Sequence, residues 1–493
     1  MIPAELTAVE ARRLIGRRAL SPVELLESCL AQIDRVDPAL NAMVVRDDAL
    51  ARAAARAAEA AMLRGDALGP LHGLPVAIKD IQDAAGWRTT FGSADFEHNV
   101  PTVDAGIVAR IRGAGGIIIG KTNVPEHSIG ANTVNRLFGA TGNPFNVALT
   151  CGGSSGGSAV AVAANMAPLA TGSDHGGSLR IPACYCGVVG FRATPGVVPN
   201  ERRVVTQTHY SVQGPMARNV ADAALLLSVI AERSRATRRD PMVFPLDAQQ
   251  FAHLDAVDLS NLRVAITPDL GGVLVSNAVR RTFADRVAHI AKFVKQCDLH
   301  PIDLRRAPDV DWHVRQELFV AQHHRDAANW DIGFNPNIRA TYEAALATPM
   351  QNIAAARRLQ MDLYQQFAAI FDEYDVVICP GVSIPPFAWQ DLNPRSIDGE
   401  PVANYMAWLA LTSSITVVGH PVVALPCGRD DAGLPFGIQV IGAMFEDRRL
   451  LATAQALESA FADDVQLARP RPDSAALAHT VSTCRTAGKH VTG

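Results

Sequence analysis

Apolar residues recur along this chain in two rhythms. Over residues 4–64 they return every three or four positions, and an alanine-rich run fills 49–63, so both stretches predict helices. Ser21-Pro22 and Asp37-Pro38 are the expected start and stop of the longer one. Beyond residue 70 the rhythm changes to short continuous apolar runs. Residues 74–79, ending in Lys79, and 116–123 predict buried strands, and a helix closes over 108–113. Residues 158–166 predict a helix of small side chains, 276–296 and 354–374 amphipathic helices, and 448–461 a late helix. Strands are expected at 263–269, 375–380, 421–428 and 435–443. Short apolar strands alternating with helices predict an α/β fold, with a large mixed central β-sheet flanked on both faces by α-helices. We expect one elaborated domain over 1–470, with N-terminal helices to about 64, a variable region over about 200–375, and a polar, disordered tail over 471–493.

Composition narrows the partners. The net charge is −4 over 493 residues, with no long run of like charge, so nucleic acid and anionic membrane are not expected as the main partners. No apolar run approaches the roughly 20 residues of a membrane helix, and the first 20 residues lack the apolar core of a secretory leader. The eight cysteines are scattered, and Cys184 with Cys186 makes only a lone C-x-C, which fits reduced thiols in a cytoplasmic setting. Lysine stands at only five positions, 79, 121, 292, 295 and 489, among 45 basic residues. A chain that uses arginine nearly everywhere keeps lysine where a removable proton matters, and Lys79 ends a buried strand.

Three motifs fail on context. Gly115 to Thr122 matches G-x-x-x-x-G-K-[ST], but its variable positions hold three isoleucines that favour a strand over a phosphate loop. Gly152 to Gly156 matches the G-x-S-x-G nucleophile elbow, but what precedes it reads as loop, and nothing supports His420 as its partner. His313, His323 and His324 have no cysteine or carboxylate cluster to complete a metal site.

What remains is Lys79 with two Gly/Ser loops, GGSSGGS at 152–158 and GSDHGGSLR at 172–180. Lys79 and Ser154 are 75 residues apart, and Ser154 and Ser178 are 24 apart. With KTNVPE at 121–126, GATGNPFN at 139–146, CGVVGFRATPG at 186–196 and the late GHPVVALPCG and GLPFGIQVIG, this order resembles the amidase signature family of serine hydrolases. The resemblance covers most of 5–200 and 375–462. It implies Ser178 as nucleophile, Ser154 on a cis peptide as bridging serine, and Lys79 as a base kept neutral by burial. It also implies an oxyanion hole from the backbone of His175, Gly176, Gly177 and Ser178. Ser155, Ser173, Asp174 and Arg180 are expected to brace the loops, the last two as an ion pair. No metal or organic cofactor is implied; the substrate would be a small-molecule amide, carbamate or urea, and a homodimer is the one assembly to expect.

Departures from the family pattern mark what stays open. His175 stands where threonine is common, and its ring could face the substrate or point away. Ile181 replaces a glutamine usual in the subunits that release ammonia from glutamine for tRNA-dependent transamidation, so a free-standing hydrolase is preferred over that role, and the intact Lys79, Ser154 and Ser178 set it above an inactive binding relative. Cys151 replaces a proline and is expected to pack. The loop 129–138, parts of 200–375, and Tyr405 with Trp408 are the candidate specificity elements.

Overall fold

In a computed structural model, which describes residues 2–323 and 336–485, both rhythms become structure. The N-terminal stretch forms helices Ala8–Gly16, Pro22–Leu40 and Asp48–Arg64. Ser21 opens the second with a capping box: its hydroxyl takes the Val23 N–H at 2.9 Å, and Glu24 returns to the Ser21 N–H at 3.0 Å. The expected stop at Asp37-Pro38 comes early, because a proline in the last turn removes one helical bond only. The helix continues to Leu40 and leaves through left-handed Asn41, with Asp37 accepting the Ala42 N–H at 2.7 Å. The strand Met43–Val45 that follows is too short to show a period.

One 11-stranded mixed sheet runs through the molecule. Its middle brings Ile117–Thr122, Pro75–Lys79, Leu169–Asp174, Val212–Ala217, Val189–Arg192, Val422–Arg429, Pro435–Ile441 and Val376–Pro380 side by side. Arg263–Ile266 and Gln296–Leu299 extend one edge and Met43–Val45 the other. Pro75–Lys79 runs parallel to both Ile117–Thr122 and Leu169–Asp174. The first two of these are buried at every residue, as the continuous apolar runs require of a sheet covered on both faces. The tempting phosphate-loop match is therefore a core strand.

The strand Leu169–Asp174 is not foreshadowed by periodicity, since four of its six residues are Thr, Gly, Ser and Asp. It carries the chain from the small-residue helix Gly156–Ala163 to the second Gly/Ser loop. That helix needs small residues because it lies against backbone: a Cβ at Gly157 would overlap the Asn123 amide. Asn146–Thr150, before the first loop, pairs in a small hairpin outside the main sheet and bridges to Ala388. The later helices of the variable region are Asn277–Ile290, Ala307–His323, Pro336–Ala347 and Met350–Ala368, after Val220–Ile230 near its start. Asn277–Ile290 is shorter than expected, because 296–299 leaves to join the sheet edge. The polar stretch after Pro470 is ordered as far as it is described. Asp473 caps the helix Ser474–Ala478, Ser474 bonds Gln32 at 3.3 Å, and Cys484 is buried. Residues 486–493, and His324 in the histidine group above, lie outside the described residues.

Candidate active site

Parallel packing sets Lys79 and Asp174 at the same C-terminal edge of the sheet, where ligand sites of open α/β sheets form. Lys79 is fully buried, and its own N–H is fixed by Thr171 Oγ1 at 3.0 Å. Its Nζ lies 2.7 Å from Ser154 Oγ and 2.7 Å from Ser173 Oγ. Burial is the main cause that pulls its ammonium down to about 7, with Asp174 opposing more weakly. The neighbouring strand holds a contrasting case. Lys121, equally buried, sits 3.3 Å from Asp80, 2.6 Å from Thr89 Oγ1 and 2.8 Å from the Gln82 carbonyl. Lys121 has a carboxylate to balance it, whereas among the described residues Lys79 has none within ion-pair distance. Lys79 is thus the lysine whose surroundings favour a neutral amine.

The two Gly/Ser loops are laced together around that amine. Ser155 donates its N–H to the Ser178 carbonyl at 3.3 Å, and its hydroxyl meets the Ser173 N–H and carbonyl, both at 3.2 Å. The peptide Gly153–Ser154 is cis. Asp174 shapes the second loop from inside, accepting the N–H groups of Gly177 at 2.9 Å and Leu179 at 3.1 Å. Gly177 takes φ +130°, and a Cβ there would overlap the Thr412 hydroxyl. The Gly177 N–H is therefore already used. Those of His175, Gly176 and Ser178 meet no acceptor among the described residues.

Asp174 is paired with Arg180 at 2.9 Å, as expected, and with Arg192 at 3.2 Å, which sequence reasoning missed. Burial opposes its charge, but Arg180, then Arg192, hold the carboxyl well below the usual range. The signal for Arg192 was available as a cation closing the apolar strand Val189–Arg192.

A cavity of about 680 Å³ opens in front of these loops, lined by Ser154, Ser173, Ser178, His175 and Gly176, while Lys79 stands behind the serines. Ile181 and residues 129–131 of the expected specificity loop also line it. His175 lines the cavity, and its ring packs on buried Tyr210 with centroids 5.2 Å apart. Burial, then Arg315 and Arg192, push the ring well below its ordinary value, so it is neutral. Tyr405 lines the cavity, but Trp408 does not: it is core, packed on Phe387. Arg315, paired with Asp311 at 3.1 Å, also lines it and was not foreseen. His420 is a buried core histidine stacked on Phe371, and Cys151 is buried packing. All eight cysteines are free. Among the described residues no three His, Cys, Asp or Glu side chains cluster as a metal site.

Known proteins resemble this chain over most of its length. The family model described as Amidase matches residues 24–451. An acylamidase of Rhodococcus erythropolis is 31% identical, over 92% of this chain and 95% of its own. A glutamyl-tRNA(Gln) amidotransferase component from Burkholderia vietnamiensis is 34% identical, over 92% and 96%. Among solved structures, a bacterial aryl acylamidase of the amidase signature family superposes with a TM-score of 0.84 at 26% identity, covering 92% of this chain and 96% of that one. A 6-aminohexanoate cyclic dimer hydrolase gives 0.79 at 26%, covering 96% and 99%. With its sheet, its loops and a match over most of its length, this chain belongs to the amidase signature family.

Proposed function

We propose that this protein hydrolyses a carboxylic amide bond of a small molecule through an acyl-enzyme on Ser178, with Ser154 as proton relay and Lys79 as base. The observation that carries the reading is the buried Lys79 amine 2.7 Å from Ser154 Oγ, its ammonium pulled down to about 7, behind a cavity that Ser178 also lines. A neutral amine accepts the Ser154 proton while Ser154 takes that of Ser178, so the Ser178 oxygen attacks the carbonyl as a nucleophile. The free amides of His175, Gly176 and Ser178 receive the developing oxyanion; one such donor is worth about 2.7–4 kcal/mol. Gly177 shapes the loop instead, since Asp174 holds its amide. The proton then returns through Ser154 to the departing nitrogen, because an amide anion leaves poorly. Water deacylates the serine by the same relay. Ser173 Oγ accepts an N–H from the Lys79 amine and so turns its lone pair toward Ser154.

The cavity lining includes the apolar side chains Phe91, Phe96, Ile129, Leu318 and Phe319, which supports an amide with an apolar or aryl group over a small polar one. The resemblance to an acylamidase points the same way. Glutamyl-tRNA(Gln) amidotransferase relatives are equally similar overall, and Ile181 in the cavity wall favours the free-standing reading. The test is a panel of anilides, aliphatic amides, carbamates and glutamine, assayed without ATP. We expect the highest kcat/KM on an apolar anilide and loss of activity by orders of magnitude in Ser178→Ala. Turnover of glutamine alone, or full activity in Ser178→Ala, would overturn the proposal.

A further inference from the structure

At the opposite edge of the sheet, three arginines gather around a second cavity of about 510 Å³. Arg218 follows the strand Val212–Ala217, whose last residue pairs with Leu169, the first residue of the strand that ends in Asp174. Six strand residues span about 20 Å. The two cavities share no lining residue. Arg469 and Arg471 reach the second one from the segment after the helix Asp447–Ala462.

These cations are unusual for this chain. Arginines buried elsewhere in the fold are matched by carboxylates: Arg180 and Arg192 by Asp174, and Arg203 by Asp240. Among the described residues, none of Arg218, Arg469 and Arg471 has a carboxylate within ion-pair distance. Arg218 is only 6% exposed; it donates Nη2 to the Leu6 carbonyl, and its buried Nη1 has no acceptor. Arg469 donates Nε to the Gly187 carbonyl at 2.7 Å, and its buried Nη2 has no acceptor either. The carboxylates at the cavity are engaged elsewhere or lie at its rim. Both oxygens of Glu458 take the Val220 N–H, Asp473 caps its own helix, and Glu5 is exposed. Burial, then Arg218 and Arg471, pull Arg469 down to about 10, with Glu458 opposing more weakly. A buried guanidinium N–H without an acceptor is a standing penalty that an oxyanion relieves, and the planar fork of arginine suits phosphate and carboxylate oxygens.

We propose that this cavity is a binding site for a small dianionic molecule, a phosphate monoester or a polycarboxylate, held by Arg218, Arg469 and Arg471. The volume admits a metabolite-sized ligand as well as a bare ion. The test is thermal unfolding of the full chain with inorganic phosphate and, separately, citrate, against sodium chloride at matched ionic strength. We expect a saturable rise in Tm with at least one anion, and a midpoint concentration at least tenfold higher in Arg471→Gln. Arg471 is exposed, so that variant keeps the fold even where Arg469→Gln does not. A stronger response to phosphate assigns a phosphorylated ligand, and a stronger response to citrate a carboxylate one. No rise above the chloride control with either anion, or a midpoint unchanged in Arg471→Gln, overturns the proposal.

Discussion

Replacing Lys79 by methionine separates stability from chemistry. A lysine of ordinary pKa 10.5 is neutral in about one molecule in 3,000 at pH 7, whereas one held at about 7 is neutral in half. The fold thus disfavours the ammonium by roughly 5 kcal/mol. The sign of the linkage follows. Between about pH 7 and 10.5 the unfolded chain binds the Lys79 proton and the folded chain does not, so this lysine makes stability rise with pH there and imposes its full penalty below about 7. From pH 7 to 9 the rise amounts to about 2 kcal/mol. Chemical denaturation of wild type and Lys79→Met at both pH values isolates it, because every other titrating group is shared. Wild type should gain about 2 kcal/mol more than the variant over that interval. The variant should lose amide hydrolysis by orders of magnitude without being less stable at pH 7. Wild-type kcat/KM should rise with pH through about 7, falling about tenfold per unit below it. An identical pH response of stability in the two proteins, or an activity limb near 10, would refute a neutral buried lysine.

Other parts of the site give separate outcomes. Asp174→Asn leaves Arg180 and Arg192 buried without a full counter-charge and should lower unfolding free energy by about 3–5 kcal/mol; a change under 1 kcal/mol would contradict that role. Gly177→Ala should abolish hydrolysis while far-UV circular dichroism stays native, since a Cβ there meets Thr412 and displaces the loop carrying the free amides; retained activity would mean that the loop tolerates a different path.

What the sequence revealed depended on how local each signal was. Helix Pro22–Leu40 was readable from its own capping residues, and the strand ending in Lys79 from its own apolar run. The scarcity of lysine singled out Lys79 before any contact was known, although the same reasoning applied to Lys121, and only its pairing with Asp80 separates the two. Met43–Val45 and Leu169–Asp174 were invisible because one is three residues long and the other is polar along half its length; both are strands because of their neighbours in the sheet. Arg192 and Arg315 were missed for the same reason. Each reaches the second loop or its cavity from a distant element, and no spacing rule links Asp174 to a strand 18 residues on or to a helix in the variable region. Ser173 was expected only to brace the loop, and stands directly on the lysine amine.

The division of labour between the serines is the central claim, and covalent trapping addresses it without a known substrate. Folded protein treated with a fluorophosphonate, digested and mapped by mass spectrometry should carry one adduct, on Ser178. An adduct on Ser154 instead, or no adduct on protein with native circular dichroism, would contradict the account.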